Sequence, residues 1–486
     1  MSSSSNSVSV NFIWSGVQRF GSRILLFIAN MVLARLLSPA DFGCVGLITV
    51  FINFSDDFIN GGFASALIQK KSPTQADYSS VFYLNLSIAL ICYAILFVFS
   101  PAIAEFYHIP ILCDILRVQG IVMIFNAFGV VQTNILQKQL YIKHLAIADN
   151  ISSLLGSIAG IIAAYKGLGV WSLVIRYLGV YFFYVLFIWI IDSWKPSLTF
   201  SFKSIRELFK FGGFMLLSNI TDTVYNNIQS LIIGRVFSDS DLGQFTQARK
   251  LEEIPVMGLA SVVSTVSFPL YSKMQDDKEN LLCLLHRNNK TITYLSFPLM
   301  VLLFLISEPL IILLFSDKWL PAVPYFRILC ISGLITTINV TNKDLITALG
   351  YSSLYFYSQL IYKIIGVLFI LFGLRWGIEG MIWGRVFAYY LLFLMNAFIA
   401  ERIINYGLYS QIKDVFPNLI IAFISGATIF CGIEYVKILN VFIQVACIST
   451  CYSLLYMLLS ALTRNESFNY YWKFAHDFAT RMFRSK

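Results

Sequence analysis

Two arginines, Arg19 and Arg23, stand four residues apart in an otherwise apolar segment. On a helix that spacing puts both guanidinium groups on one face. They repel each other there unless an anion or an acid sits between them. A diphosphate suits such a pair, because a guanidinium binds phosphate oxygens in bidentate fashion; snorkelling of both side chains to the headgroups is the other reading. Asp56 and Asp57 lie midway along the next apolar segment, and Asp222 midway along a later one. These carboxylates read either as ion-pair partners of Arg19 or Arg23 and caps of a broken helix, or as a protonatable or sodium-binding coupling site. Arg249 and Lys250, followed by Glu252 and Glu253, form either the rim of a cavity or a self-neutralising patch. Lys343 and Asp344 read as an adjacent-turn ion pair. Arg117, Asp149, Arg176, Glu308, Lys363, Glu379 and Arg385 sit nearer segment ends and read as anchors. A charge near the centre of a bilayer costs roughly 2.5–3.5 kcal/mol on insertion scales, so each needs a partner or a wet cavity.

These charges stand out because the chain has so few. Of 486 residues, 58% are apolar, 16% aromatic and 13% charged, against roughly 25% charged in an ordinary soluble domain. At about 20 apolar residues per span, the apolar content supplies roughly 14 membrane helices. That excludes a soluble enzyme, a disordered chain and a disulfide scaffold. No nucleophile–base arrangement is visible, so no catalytic residue is assigned. His108, His144, His286 and His476 are isolated and loop-proximal, and read as solvated. The eight cysteines are scattered, with no C-x-x-C pair and no Cys/His cluster, so neither a disulfide framework nor a metal site is signalled. The formal net charge of +9 carries no basic stripe with interleaved aromatics, and nucleic acid is not a partner.

The elements that must position the charges follow from hydropathy. Spans fall near 11–36, 42–68, 80–105, 112–136, 145–165 and 170–191. After a polar, basic stretch at 192–210, further spans fall near 209–234, 242–271, 291–315, 322–349, 355–374, 378–401, 414–434 and 438–462. The serine-rich residues 1–10 lack the basic region of a signal peptide and read as a tail before the first span. Residues 463–486 are polar, aromatic and basic, and read as an amphipathic helix on the membrane surface. One set of alternate loops, with the C-terminal tail, holds about threefold more Lys and Arg than the other. By the positive-inside bias both termini are cytoplasmic, which requires an even number of spans. All the outward loops are short, which excludes a large external catalytic domain. No G-x-x-x-x-G-K-[ST] appears, so a nucleotide-binding loop is not signalled either.

The chain also repeats itself. Arg35-Leu36-Leu37-Ser38-Pro39-Ala40-Asp41-Phe42-Gly43 ends the first span, and Arg235-Val236-Phe237-Ser238-Asp239-Ser240-Asp241-Leu242-Gly243 ends the seventh. Thr133-Asn134 recurs as Thr341-Asn342, Pro101 as Pro309 and Gly169 as Gly377, at an offset of 208. The repeated R-x-x-S-x-x-D-[FL]-G suits a tight outer turn in which Ser or Asp caps the next helix and Gly permits the bend. The expected fold class is an all-α polytopic membrane protein. Its plan is about 14 helices in two six-helix lobes related by a pseudo-two-fold along the membrane normal, plus two C-terminal helices. The boundaries are 1–195 for the first lobe, 196–402 for the second, 403–462 for the extra pair and 463–486 for the tail. Two lobes around a central axis are a transporter layout.

The turn at 35–43, G-G-F-A-S-A-L-I-Q at 61–69, T-Q-A-D-Y-S-S-V-F-Y-L-N at 74–85 and P-A-I-A-E-F-Y at 101–107 carry a resemblance. Together they resemble Wzx-type polysaccharide flippases, in the exopolysaccharide branch of the multidrug/oligosaccharidyl-lipid/polysaccharide exporter superfamily. The resemblance runs over at least 1–400. It implies an inner-membrane transporter that moves undecaprenyl-diphosphate-linked oligosaccharide repeat units from the cytoplasmic to the outer leaflet, for surface polysaccharide such as exopolysaccharide or lipopolysaccharide. In related lipid flippases cationic residues of the first and eighth spans line the cavity, and Arg19, Arg23, Arg249 and Lys250 are the positions that fit. No cofactor is implied, only coupling to an H+ or Na+ gradient. The implied partners are the lipid-linked oligosaccharide, membrane lipids, and a polysaccharide polymerase with its chain-length proteins. Two rivals are a multidrug cation exporter of the same superfamily, which wants an acidic cavity, and a non-transporting scaffold of a polysaccharide-synthesis complex.

Overall fold

The computed structural model describes residues 14, 16 and 21–484, apart from 61–62 and 437. No strand occurs among the described residues. Among the described residues eighteen α-helices follow one another: α1 Ser22–Leu36, α2 Pro39–Asn60, α3 Phe63–Gln69, α4 Gln75–Tyr107, α5 Leu112–Gln119, α6 Ile121–Lys138, α7 Ile142–Tyr165, α8 Trp171–Ile191, α9 Phe202–Val236, α10 Asp239–Lys273, α11 Lys278–Leu305, α12 Ser307–Phe315, α13 Ala322–Ala348, α14 Ser352–Gly373, α15 Gly377–Ile404, α16 Leu408–Val436, α17 Val441–Leu462 and α18 Glu466–Arg484. Helix alone is expected for a chain this apolar. A helix satisfies every backbone donor and acceptor within one segment, which hydrocarbon demands.

Among the described residues ten segments are long and apolar enough to cross a membrane. One of them, Ser352–Ile404, holds both α14 and α15. The ninth expected span is broken: α11 and α12 meet at Ile306 with a 73° bend, and counting that pair as one span gives eleven segments. The fourth is likewise two helices, joined at Gly120. Where the first span was expected at 11–36, the described helix begins at Ser22.

By internal contacts the chain divides into two compact units, Met1–Thr246 and Gln247–Lys486, with the division inside α10. In the first, Val81, Phe82, Val131, Ile135 and Leu208 are buried around one cluster. The polar stretch after α8 is strapped to the start of α4 there. Trp194 Nε1 donates to Gln75 Oε1 at 2.6 Å, Gln75 Nε2 to the Lys195 carbonyl at 2.8 Å, and the Ser201 amide to Ser80 Oγ at 2.8 Å. In the second unit a core of Phe297, Met300, Ile335, Ile338, Tyr452 and Tyr456 joins α11 and α13 to α17. The helix α18 joins that unit through Phe468 and Tyr471, whose hydroxyl donates to the Thr291 carbonyl at 3.2 Å. Apolar side chains also face outward, as with Ile91, Ile95, Val98 and Phe99 on α4. This is the pattern of helices bathed in lipid rather than water.

Helices in lipid gain little from hydrophobic burial against each other, so close approach through small residues holds them. The hairpins α7–α8 and α14–α15 use the same device. Their turns contain Gly169 and Gly377, the pair matched at an offset of 208, and both have positive φ, 54° and 73°. A Cβ on Gly384 would lie 2.4 Å from the Phe369 carbonyl oxygen, which is backbone and cannot rotate away. Gly384→Val is therefore expected to destabilise the protein by about 1–3 kcal/mol, the usual cost of overpacking. Gly258→Ala, where a Cβ meets nothing within 4 Å, should not. Thermal midpoints of the two purified variants in detergent check this.

Candidate functional site

Consecutive residues on a helix point about 100° apart, so Asp56 and Asp57 on α2 meet different neighbours. Asp56 Oδ1 accepts a hydrogen bond from Asn126 Nδ2 on α6 at 2.5 Å. Asn126 also lines a cavity of about 210 Å3 between α6 and α8, together with Thr133, Asn134, Tyr181 and Tyr184. The hydroxyls of Thr133 and Tyr184 are 3.1 Å apart. Asp57 turns instead toward α9, where Thr223 donates to it and Asp222 lies close enough for the two charges to act on each other. The structure thus brings Asp57 and Asp222 together, as like charges, and sends Asp56 to a separate polar pocket.

The expected cations divide between the two units. Arg19 lies outside the described residues. Arg23 is on the exposed side of α1. The acid within its field is Asp149 on α7, which also accepts from the buried Ser22. Asp149 had been read as a helix-end anchor; the structure makes it part of this intramembrane cluster, facing α1. In the second unit Arg249 Nε meets Glu253 Oε1 at 2.7 Å, one turn apart on α10. Lys250 is half-buried beside it. Glu252 is 8% exposed and feels both Arg385 on α15 and Arg249.

Several anchors of the sequence reading are buried within bundles instead: Arg176, Lys363 and Arg385 are 6%, 8% and 9% exposed. Hydropathy gives the depth of a residue along its helix but not the direction in which it points. His286, expected to be isolated and solvated, keeps 37% of its side chain exposed but is not isolated. His286 Nδ1 lies 2.6 Å from Asp414 Oδ2, and the Tyr406 hydroxyl donates to the same oxygen at 2.7 Å. Tyr406 sits in the turn between α15 and α16, where burial and the Asp414 charge push its phenol far above the usual range and keep it a donor. The Lys343–Asp344 pair is long, at 3.9 Å, and Ser264 Oγ donates to Asp344 Oδ1 at 3.0 Å. Sequence reasoning missed Asn126, Thr133, Tyr181 and Tyr184 because it followed formal charge. Asn126, Thr133 and Asn134 do recur at helical spacing on one apolar helix, a signal that was legible. Among the described residues no group of three or more His, Cys, Asp or Glu is placed to hold a metal ion.

The bundle therefore offers acids and uncharged polar groups at depth in both units, and basic groups that reach them. Residues 32–324, more than half of the chain, match the profile of the polysaccharide biosynthesis protein family. The chain belongs to this family. It is 27% identical over 378 residues to the succinoglycan biosynthesis transport protein ExoT of Rhizobium meliloti (strain 1021), which spans 77% of this chain and 76% of that protein. It is 25% identical over 346 residues to the teichuronic acid biosynthesis protein TuaB of Bacillus subtilis (strain 168), 71% of this chain and 72% of that one. Its fold is that of the lipid II flippase MurJ in an inward closed conformation, with a TM-score of 0.74, 18% identity, and coverage of 93% and 99%. It is a multi-pass membrane protein.

Removing one partner of the Asn126–Asp56 bond leaves a buried polar group unsatisfied, a loss worth about 1–3 kcal/mol. Asn126→Leu should cost about that much in stability, and much less in an Asp56→Leu background. The four thermal midpoints of this cycle measure the coupling directly.

Proposed function

We propose that the protein flips undecaprenyl-diphosphate-linked oligosaccharide repeat units across the bacterial inner membrane by alternating access. The observation that carries the reading is membership of the polysaccharide biosynthesis family over residues 32–324. The transporter-type fold over almost the whole chain supports it, as does a relative named for transport in succinoglycan biosynthesis. The protein does its work without an enzymatic step. Its task is to carry a charged diphosphate and polar sugars past hydrocarbon.

In this reading the membrane is crossed 14 times, with α1 and the polar α9 counted as spans and both termini in the cytoplasm. Lobes 1–195 and 196–402 alternate access, the pair 403–462 packs beside them, and the tail lies on the cytoplasmic surface. The cations Arg19, Arg23 and Lys250 hold the diphosphate, since Arg249 is already matched by Glu253. Guanidinium groups suit this because their planar donors meet two phosphate oxygens at once and their charge does not titrate away. The prenyl chain stays in lipid. Asp56, Asp57 and Asp222 serve ion coupling: a carboxylate held at depth by Asn126, or crowded by a second carboxylate, changes its affinity for a cation when its neighbours move. A polymerase and its chain-length proteins receive the product.

Neutralising both arginines as Arg19→Gln/Arg23→Gln should abolish polysaccharide export while the protein still inserts in the membrane, with lipid-linked repeat units accumulating in the cytoplasmic leaflet. Unchanged export would remove the cavity assignment, and ethidium efflux by the parent would favour a multidrug exporter instead. Asp56→Asn should lower gradient-driven flipping in vesicles at least tenfold. Gradient-independent exchange of labelled lipid should change far less.

A further inference from the structure

The repeat places one groove in each unit, and the two copies are built for different contents. In the first unit the groove lies between α6 and α8 and is polar, the cavity of Asn126, Thr133 and Tyr184. An offset of 208 carries Asn126 to Leu334, Val130 to Ile338 and Val185 to Phe393. Leu334, Ile338 and Phe393 line a cavity of about 600 Å3 in the second unit, among α11, α13, α15 and α16. Among the described residues no charged side chain lines it. The Tyr390 hydroxyl is tied to the wall, donating to the Ile331 carbonyl at 3.3 Å. The shared helix plan does not require apolar walls, since the first copy has polar ones. The cavity opens sideways between α15 and α16: Leu394, Ile412, Phe416 and Phe423 line it and are between 44% and 52% exposed. A dry apolar cavity takes an apolar guest and not water.

A cation stands at the foot of this mouth. Leu394, Phe398 and Arg402 follow at four-residue spacing and so share one face of α15. At 1.5 Å per residue the arginine lies about 12 Å along the helix from Leu394, toward the turn. Arg402 is exposed, its guanidinium 4.5 Å from the centre of the Phe398 ring, and it makes no ion pair among the described residues. Its neighbour Glu401 lies against Gly407 instead, and Asp414 is held by His286 and Tyr406. Lys413, beside Ile412, adds a second exposed cation. The turn carrying these groups is fixed: the Asn405 amide donates to the Glu401 carbonyl at 2.9 Å, and Gln411 Nε2 to the Tyr406 carbonyl at 3.1 Å. Basic residues between membrane helices at their cytoplasmic ends are a recurrent seat for lipid headgroups, and a guanidinium meets two phosphate oxygens at once.

We propose that the cavity holds one acyl chain of a phospholipid from the surrounding bilayer, with the lipid phosphate on Arg402. Size selects this occupant. Cavities of roughly 300–1,000 Å3 take molecules of drug size; one acyl chain is of that size, and an undecaprenyl tail is not. The bound chain fills the space between α16 and the helices beside it, and so seats the extra helix pair 403–462 on the second unit. The inference goes beyond the transport reading and takes from it only the cytoplasmic placement of Arg402.

Photolabelling tests this on the full chain, in vesicles of phosphatidylethanolamine and phosphatidylglycerol that carry a trace of phosphatidylglycerol with a diazirine on its acyl chain. Irradiation should attach the label to the peptides of Phe304, Leu394 and Phe416, which line the cavity. Leu419→Trp, which fills the cavity from α16, should abolish those adducts. Arg402→Gln, at an exposed position, should reduce them about tenfold, the loss of one charge-assisted contact. Unchanged adducts in Leu419→Trp would place the chain outside the cavity, and unchanged labelling in Arg402→Gln would remove the phosphate site; either overturns the proposal, as does a parent without adducts on those peptides. Undecaprenyl phosphate is the rival occupant, and an excess of it should leave the labelling as it was. Displacement of the label by undecaprenyl phosphate and not by unlabelled phosphatidylglycerol would give the cavity to the prenyl lipid and overturn the proposal. If Leu419→Trp fails to fold, Arg402→Gln and the competition decide. None of these outcomes touches the transport reading, which polysaccharide export judges.

Discussion

Hydrocarbon offers no partner to a polar group and little reward for pressing one apolar helix against another. Nearly everything in this protein follows from those two facts. The first forces the backbone into helices and each intramembrane charge toward a partner. Asp56 meets Asn126, Arg249 meets Glu253, Asp414 meets His286 and Tyr406, and Asp344 meets Ser264. The second leaves close backbone approach as the means of holding helices together, so glycines mark the tightest packing in both hairpins and at the crossing of the two repeated turns.

The same constraint shapes the division of labour among charges. A paired charge is quiet: Arg249 and Glu253 meet at 2.7 Å on one helix. A charge with an exposed approach, such as Arg23, keeps its field available to something outside the bundle while Asp149 stands behind it. Uncharged polar groups fill the remaining role. Thr133, Tyr181 and Tyr184 line a space beside the Asn126–Asp56 bond in which water or an ion can be tolerated without a formal charge on the wall. In the proposed reading that mixture suits a diphosphate, since a cavity of unpaired cations alone would be costly to fold and slow to release its load.

Repetition brings two helix starts into close contact. Two copies of one turn start α2 and α10 with the same cap, and the glycine two positions after the capping acid lets their backbones approach. The neighbouring Arg235 is engaged elsewhere, 2.7 Å from His108 Nε2 and over the Phe106 ring.

The sequence alone was enough for a helical membrane protein, its family, most of its spans and its repeated turn, because those rest on local composition and on residues a few positions apart. The low share of charged residues fixed the class. Ser38 with Asp41, and Ser238 with Asp241, were legible as caps because a cap is settled within one turn of chain. What lay beyond it were properties of direction and of distant contact. Asp56 and Asp57 are neighbours in sequence yet serve different pockets; His286 finds Asp414 at a separation of 128 residues; Arg385 and Lys363 point inward where hydropathy saw only depth. Gly43 looked like a bend and is a contact surface. A helix fixes where its residues lie along an axis, but only the packing of other helices around it decides what each of them faces.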